Sequence, residues 1–255
     1  MGDCVDPKYG ENYSELYRRH WWWRARQRIV LEILRGIQPS SGSGQILDVG
    51  CGDGLFFDRL LEFGNVEGIE RDASLVRTDG PYRTRIRIAP FDSSFRPGKQ
   101  YSMILMLDVL EHLSDPLSAL CHSRRLLVPG GTLLCTVPAF RLLWTNHDVL
   151  NQHVTRYTKK SLGMLARGAG FEILQQHYLF QWLFPAKLVA RMKEVLFRQA
   201  PSMPRIPTKW TNDIFFYLTT AEYGILHRLR VPFGSSLLIV ARNPVEGDPV
   251  EPAAI

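Results

Sequence analysis

Ile46-Leu47-Asp48-Val49-Gly50-Cys51-Gly52-Asp53-Gly54, residues 46–54, is an apolar run that meets an acid and then three alternating glycines. The pattern reads as a strand, a tight turn and the start of a helix. Glycine tolerates backbone angles that other residues resist, and without a Cβ it lets a ligand lie against the main chain. A loop of that shape suits a nucleotide cofactor. Gly-x-Gly-x-x-Gly spacing would point to a dinucleotide, with its pyrophosphate at the helix N-terminus. Here the spacing is Gly-x-Gly-x-Gly and Asp48 precedes it. An acid facing a pyrophosphate would set two anions against each other, whereas an ammonium, or the water ordered beside one, suits it well. Twenty residues after Gly50, Val66-Glu67-Gly68-Ile69-Glu70 places a second acid at a strand's carboxyl end, where it can accept from ribose hydroxyls. Glu70 fits either kind of nucleotide and does not separate them.

The glycine spacing behind Asp48 resembles the first motif of class I S-adenosylmethionine (SAM) methyltransferases, whose cofactor carries an amino-acid end and a sulfonium. Further matches follow in order. Ile86-Arg87-Ile88-Ala89-Pro90-Phe91-Asp92 looks like a third strand ending in an acid. Met103-Ile104-Leu105-Met106-Leu107 is a fourth apolar run, leading into Asp108-Val109-Leu110-Glu111-His112-Leu113, which resembles the post-strand signature of many small-molecule methyltransferases. Pro129-Gly130-Gly131-Thr132 then turns into a buried strand through Pro138. The resemblance implies a Rossmann-like α/β fold with a seven-stranded, mostly parallel sheet, an antiparallel last strand and a helical insertion before it. It implies SAM as cofactor, S-adenosylhomocysteine as product, and a cofactor shell of Asp48, Gly50, Cys51, Gly52, Gly54, Glu70, Arg71, Asp92, Leu107 and Asp108. Asp92 would face the adenine amine, and Arg26, on an N-terminal helix closing over the site, would meet the cofactor's carboxylate.

Length and composition agree with one unit, since 255 residues with 45% hydrophobic content can bury a sizeable core. Strands alternating with helical patterns from about residue 45 to 178 imply right-handed crossovers and a ligand crevice at the strands' carboxyl ends. The chain divides into an N-terminal helical cap (1–40), a cofactor-binding core (41–178), an insertion (179–232), the final strand (233–243) and a disordered tail (244–255). In the cap, Glu15 to Ile37 reads as one helix, with an apolar face of Ile29, Val30, Ile33, Leu34 and Ile37 before Gly36 and Pro39 end it. Its first half interleaves Arg18, Arg19, Arg24, Arg26 and Arg28 with Trp21, Trp22 and Trp23, a mixture suited to gripping anions and covering planar ligands. Trp23 is expected to face the acceptor.

After the fifth strand comes Leu143-Trp144-Thr145-Asn146-His147-Asp148, then His153, Arg156 and Tyr157. Loops on that edge of an α/β sheet are where substrate sits. The stretch resembles a His-Asp, His, Arg-Tyr pattern in a group of bacterial methyltransferase-domain proteins, with Thr155 in place of a second arginine. His147 or His153 can take a proton from an attacking hydroxyl, because histidine titrates near neutrality. Alternatively, each anchors the loop through Asp148 or main-chain oxygens. His112, Asp148, Arg156 and Tyr157 are the other expected substrate contacts, and no metal is expected. The Asn/Asp-Pro-Pro-aromatic turn of nucleobase and amide N-methyltransferases does not follow the fourth strand, which favours oxygen, or a small-molecule nitrogen or carbon, as the methylated atom, with oxygen first.

The insertion contains an aromatic segment around Trp182, Leu183 and Phe184, a proline-punctuated link at Pro201, Pro204 and Pro207, and a helix in which Ile214, Leu218, Ala221 and Ile225 mark one buried face. It reads as a lid over a hydrophobic or lipid-linked acceptor, with a homodimer interface and a membrane-surface patch as alternatives; Lys187, Arg191 and Lys193 beside Trp182 and Phe184 suit anionic lipid. Tyr178 to Met192 is broken by polar residues and falls short of the roughly 20 apolar residues of a membrane span. Four scattered cysteines, Cys4, Cys51, Cys121 and Cys135, and a polar N-terminus point to a reduced cytoplasmic protein, peripheral at most on the inner membrane face. The 31 Lys and Arg against 25 Asp and Glu leave +6, a modest excess without a nucleic-acid module. RNA methylation is the runner-up, and a binding protein without turnover the alternative from another class.

Overall fold

The apolar runs pair as a sheet. β1 (Gly44–Val49), β2 (Gly64–Glu70), β3 (Ile86–Ile88), β4 (Tyr101–Leu107) and β5 (Leu127–Pro138) are parallel, and β7 (Ser236–Arg242) lies antiparallel between β5 and β6 (Glu172–Leu179). The order is β3-β2-β1-β4-β5-β7-β6. This is a computed structural model, describing residues 7–37, 44–197, 200, 204–229 and 231–245. Alternate residues of the central strands feed two cores: Leu47, Ile104 and Leu133 on one face, Ile46, Met103 and Leu134 on the other. Burial on both faces is why these strands read as unbroken apolar runs. The order reverses between β1 and β4, and a crevice at their carboxyl ends is the expected ligand position.

The N-terminal segment is two helices, not one. α1 (Pro7–Arg19) stops at His20, whose extended backbone (φ −75°, ψ 133°) and ring nitrogen, accepting from Trp22 N, start α2 (Trp21–Gly36). The break is fixed from far along the chain: Asn212 accepts from Trp21 N at 2.8 Å and donates to Arg19 O at 2.7 Å. Pro39 lies outside the described residues, as do Cys4, Pro201 and the tail from 246. The remaining helices are α3 (Phe57–Leu60), α4 (Pro116–Leu126), α5 (Asn146–Leu150), α6 (Lys159–Gly168), α7 (Leu183–Phe197) and α8 (Lys209–Leu226).

α8 also corrects its expected orientation. Ile214 is 42% exposed, Ile225 67%, and Leu218 and Ala221 are exposed too. The inward side is polar: Asn212 and Thr219 are buried, and Glu222 is half-buried. They are inside because they satisfy groups that otherwise lack partners. Glu222 accepts from Trp182 N and Gln181 N, and Thr219 accepts from Trp182 Nε1 at 3.0 Å. Trp182 packs against Trp21 and Phe215, and Phe184 against Phe140 and Phe233, so neither aromatic is the outward anchor the sequence suggests. No helix among the described residues is long and apolar enough to cross a membrane.

Candidate functional site

β1 ends in the glycine loop, where Gly50, Gly52 and Gly54 all have positive φ (70°, 53° and 70°). Glu70, at the end of β2, braces the loop: its two oxygens accept from Gly52 N and Asp72 N, each at 2.9 Å. A carboxylate oxygen has two lone pairs, so Glu70 keeps acceptor capacity for a hydroxyl. A Cβ placed on Gly52 would meet only the Tyr13 ring, at 3.9 Å, so the space over this turn is open. Cys51 turns its thiol against Gly68.

Asp48 is buried, and desolvation pushes its carboxyl up to about 7; Arg26 opposes that rise and Glu70 adds to it. Arg26, from α2, is buried over the Trp22 ring and ion-paired with Asp108. Asp108 sits at φ 59°, held by Thr136 Oγ1 at 3.1 Å and by its own amide donating to Thr136 O at 2.9 Å. Such a backbone costs energy in a residue with a Cβ and is characteristic of functional sites. Leu107, just before it, is half-buried. Asp48, Glu70, Arg26, Leu107 and Asp108 therefore gather at the switch point, around the glycine loop.

Asp92 is not buried with them. β3 ends at Ile88, its pairing closing with Ala89 N to Glu70 O at 2.9 Å, since Pro90 has no N–H to extend the ladder. Asp92 lies four residues on, in an exposed turn, accepting from Ser94 N at 2.8 Å. Arg71 is exposed as well. Trp23 is a second correction. It is 6% exposed and packed among Tyr13, His20 and Trp22, part of the core and not a wall for the acceptor.

The loop after β5 is built around Asp148, which is fully buried. Arg156 donates to it twice, at 2.7 and 2.8 Å, and spends a third donor on Ala139 O. Thr145 N and His153 Nδ1, each at 2.8 Å, and Thr145 Oγ1, at 3.2 Å, add to these. Although burial opposes it, these bonds hold the Asp148 carboxyl far below its ordinary value. Tyr157 is also buried, its hydroxyl donating to Leu110 O. Asp148, Arg156 and Tyr157 are thus the frame of the loop, and their polar atoms are occupied within the protein.

The histidines sit on that frame. His153 keeps Nε2 free, because Asp148 holds Nδ1. His112 lies edge-on to it with ring centroids 4.8 Å apart. His147 contacts Asn151, and desolvation, with Lys187 next, lowers it to about 3. One residue, Glu111, was not singled out from the sequence, and another, Lys187, was read there only as a lipid-facing cation. Glu111 is fully buried in the turn after β4, its carboxyl pushed up to about 8 by burial; the signal was an acid set between Leu110 and Leu113. Half-buried Lys187, lowered to about 8 by desolvation and then Arg156, brings α7 to the loop. Arg191 and Glu194 fasten that helix, on the carbonyls of Arg141 and Leu142 and on Asn146 N.

Comparison with known proteins bears on this site. Ubiquinone biosynthesis O-methyltransferase of Dinoroseobacter shibae is 31% identical over 110 residues, 40% of this chain and 44% of that protein. The enzyme of the same name from Cupriavidus pinatubonensis is 24% identical over 204 residues, 68% of this chain and 81% of that protein. The chain thus spans less than half the length of the first of these relatives. Among solved structures, a SAM-dependent methyltransferase from Archaeoglobus fulgidus superposes with TM-score 0.53 at 14% identity, covering 85% of this chain and 94% of that one. The 4+2 cyclase SpnF does so with TM-score 0.56 at 20% identity, covering 96% and 98%. These likenesses establish the fold. Residues 17–176, which carry α2, the glycine loop and the Asp148 frame, match the family described as methyltransferase domain, and to that family this chain belongs.

Proposed function

We propose that the protein transfers the methyl group of SAM to an oxygen of a small, hydrophobic or lipid-linked acceptor and releases S-adenosylhomocysteine. The observation that carries the reading is the open space over Gly52, framed by the acids Asp48 and Glu70 and the Arg26–Asp108 pair. Asp48 suits the cofactor's ammonium, Glu70 the ribose hydroxyls, and Arg26 the carboxylate once it shares Asp108. The O-methyltransferase relatives support oxygen as the acceptor atom. Alignment of the sulfonium with the acceptor contributes about 7–11 kcal/mol, against roughly 10²- to 10⁴-fold from a base. Of the two histidines, His153 is the one oriented by Asp148, and His147, lowered to about 3, is a weak base.

Calorimetric titration with SAM, S-adenosylhomocysteine and NADH tests this. Micromolar binding of the first two and none of NADH is expected, and NADH binding alone would overturn the reading. The pH dependence adds a sharper check. Only ionised Asp48 attracts an ammonium, and its carboxyl is half protonated near pH 7, so SAM affinity is expected to fall as pH drops, approaching tenfold per unit below about 7. Asp48→Asn should flatten that slope.

The outward faces of α7 and α8 support a lipid-side location for the acceptor. Val195, Leu196, Phe197, Trp210, Tyr217 and Ile225 are all exposed, near the cations Lys193 and Lys209. Large apolar side chains left exposed along two helices are the kind of surface that marks an interaction site. Cosedimentation with anionic liposomes is expected to deplete the protein from the supernatant, and neutral liposomes to do so less. Equal recovery with and without anionic vesicles would remove the membrane idea and leave a second copy of the chain as the cover for this face.

A further inference from the structure

Glu111 carries a carboxylate that the fold has enclosed and not paired. It is fully buried, and neither oxygen finds a hydrogen-bond partner beyond its own main chain. Burying an unpaired carboxylate is expensive, and the exceptions call for a ligand or a role. One of its oxygens, one ring nitrogen of His112 and one of His153 all lie within 4.8 Å of one another. Val154 N donates to Glu111 O at 2.7 Å, which ties the His153 loop to the turn after β4 and brings the three together.

His153 is oriented as a metal-ligating histidine would be. Asp148 occupies Nδ1, leaving Nε2 as the free nitrogen, and a carboxylate on the far nitrogen is the arrangement that fixes the tautomer and basicity of a ligating imidazole. Asp148 is itself immobilised by Arg156.

We propose that Glu111, His112 and His153 form a binding site for a divalent cation of the zinc, cobalt and manganese class. Two imidazoles and one carboxylate suit such ions, whereas magnesium and calcium prefer all-oxygen shells. With bonds of about 2.1 Å, ligand atoms around such an ion lie roughly 3–3.5 Å apart, so the three groups must draw inward by about an ångström. His112 is an exposed residue whose ring also meets the Asn151 main chain, so the shift falls chiefly to it with that bond kept or exchanged. Three protein ligands leave a coordination position open. This deepens the proposed function, and rests on it for its purpose: an acceptor hydroxyl bound at that position releases its proton to water more readily, its oxygen then forms the bond to the methyl carbon, and the carbon–sulfur bond breaks to leave the thioether. His153 serves there as ligand and not as base. The expectation of no metal came from weighing His147, Asp148 and His153, but Arg156 claims Asp148 and the structure supplies Glu111 in its place.

Cation binding is measured without cofactor, so its outcome stands apart from the methyltransferase reading. The chelator-stripped full chain is titrated with Co²⁺ alone, followed by calorimetry and visible absorption. One Co²⁺ per chain is expected, with Glu111→Gln and His112→Ala each weakening affinity 100-fold or more. No saturable binding by the wild type, or binding that both variants retain within threefold, overturns the site. If Glu111→Gln fails to fold, His112→Ala, at an exposed position, decides alone.

Discussion

Asp148→Ala is expected to lower the melting temperature by roughly 6–20 °C. Breaking a buried pair costs about 3–5 kcal/mol because the surviving charge is left unpaired, and for a chain of this size each kcal/mol is worth roughly 2–4 °C. Here the survivor is Arg156, buried beside the carbonyl of Ala139, and His153 and Thr145 lose the same partner. The sign with pH follows from the depressed carboxyl. Its contribution is present above the unfolded value of about 4 and is lost only as pH falls toward the lower folded one, so the deficit should be constant from pH 8 to about 5. Thermal melts across that range check it. A shift under about 3 °C at pH 7 would mean that the loop frame contributes far less than its burial implies.

Gly52→Val is expected to cost at least 100-fold in SAM affinity while leaving the chain folded. A Cβ there meets no protein atom closer than the Tyr13 ring, 3.9 Å away, so the branched side chain it carries is expected to take up the space assigned to the cofactor. The left-handed backbone at φ 53° adds a strain of about 1–2 kcal/mol, a melting shift of only a few degrees. Calorimetry and melting curves on the same preparation separate the two effects. Affinity within threefold of wild type would put the cofactor somewhere other than over this turn.

The parts of the fold legible in the sequence were those dictated locally. The β1 loop could be read because positive φ at alternate positions demands glycine, and the central strands because burial on both faces leaves unbroken apolar runs. Glu70 and Asp108 followed from their place at strand ends. What could not be read was set by partners distant in the chain. The break at His20 depends on Asn212, and α8 turns its polar side inward because Trp182 and Gln181 need acceptors there, which no helical periodicity records. The loop after β5 was found as a cluster, but not how its side chains pair within it. Residue types alone could not say that Arg156 would consume Asp148, or that Glu111 would arrive beside His153 without a partner.

The Asn212 clasp has a consequence for how the chain is made. Trp21 and Arg19 leave the ribosome early, yet the side chain that fixes the angle between α1 and α2 follows 191 residues after Trp21. At about 5–20 residues per second, the N-terminal helices wait roughly 10–40 s for the contact that sets their junction. Their tryptophans wait throughout that interval, so a segment made 191 residues later completes their junction.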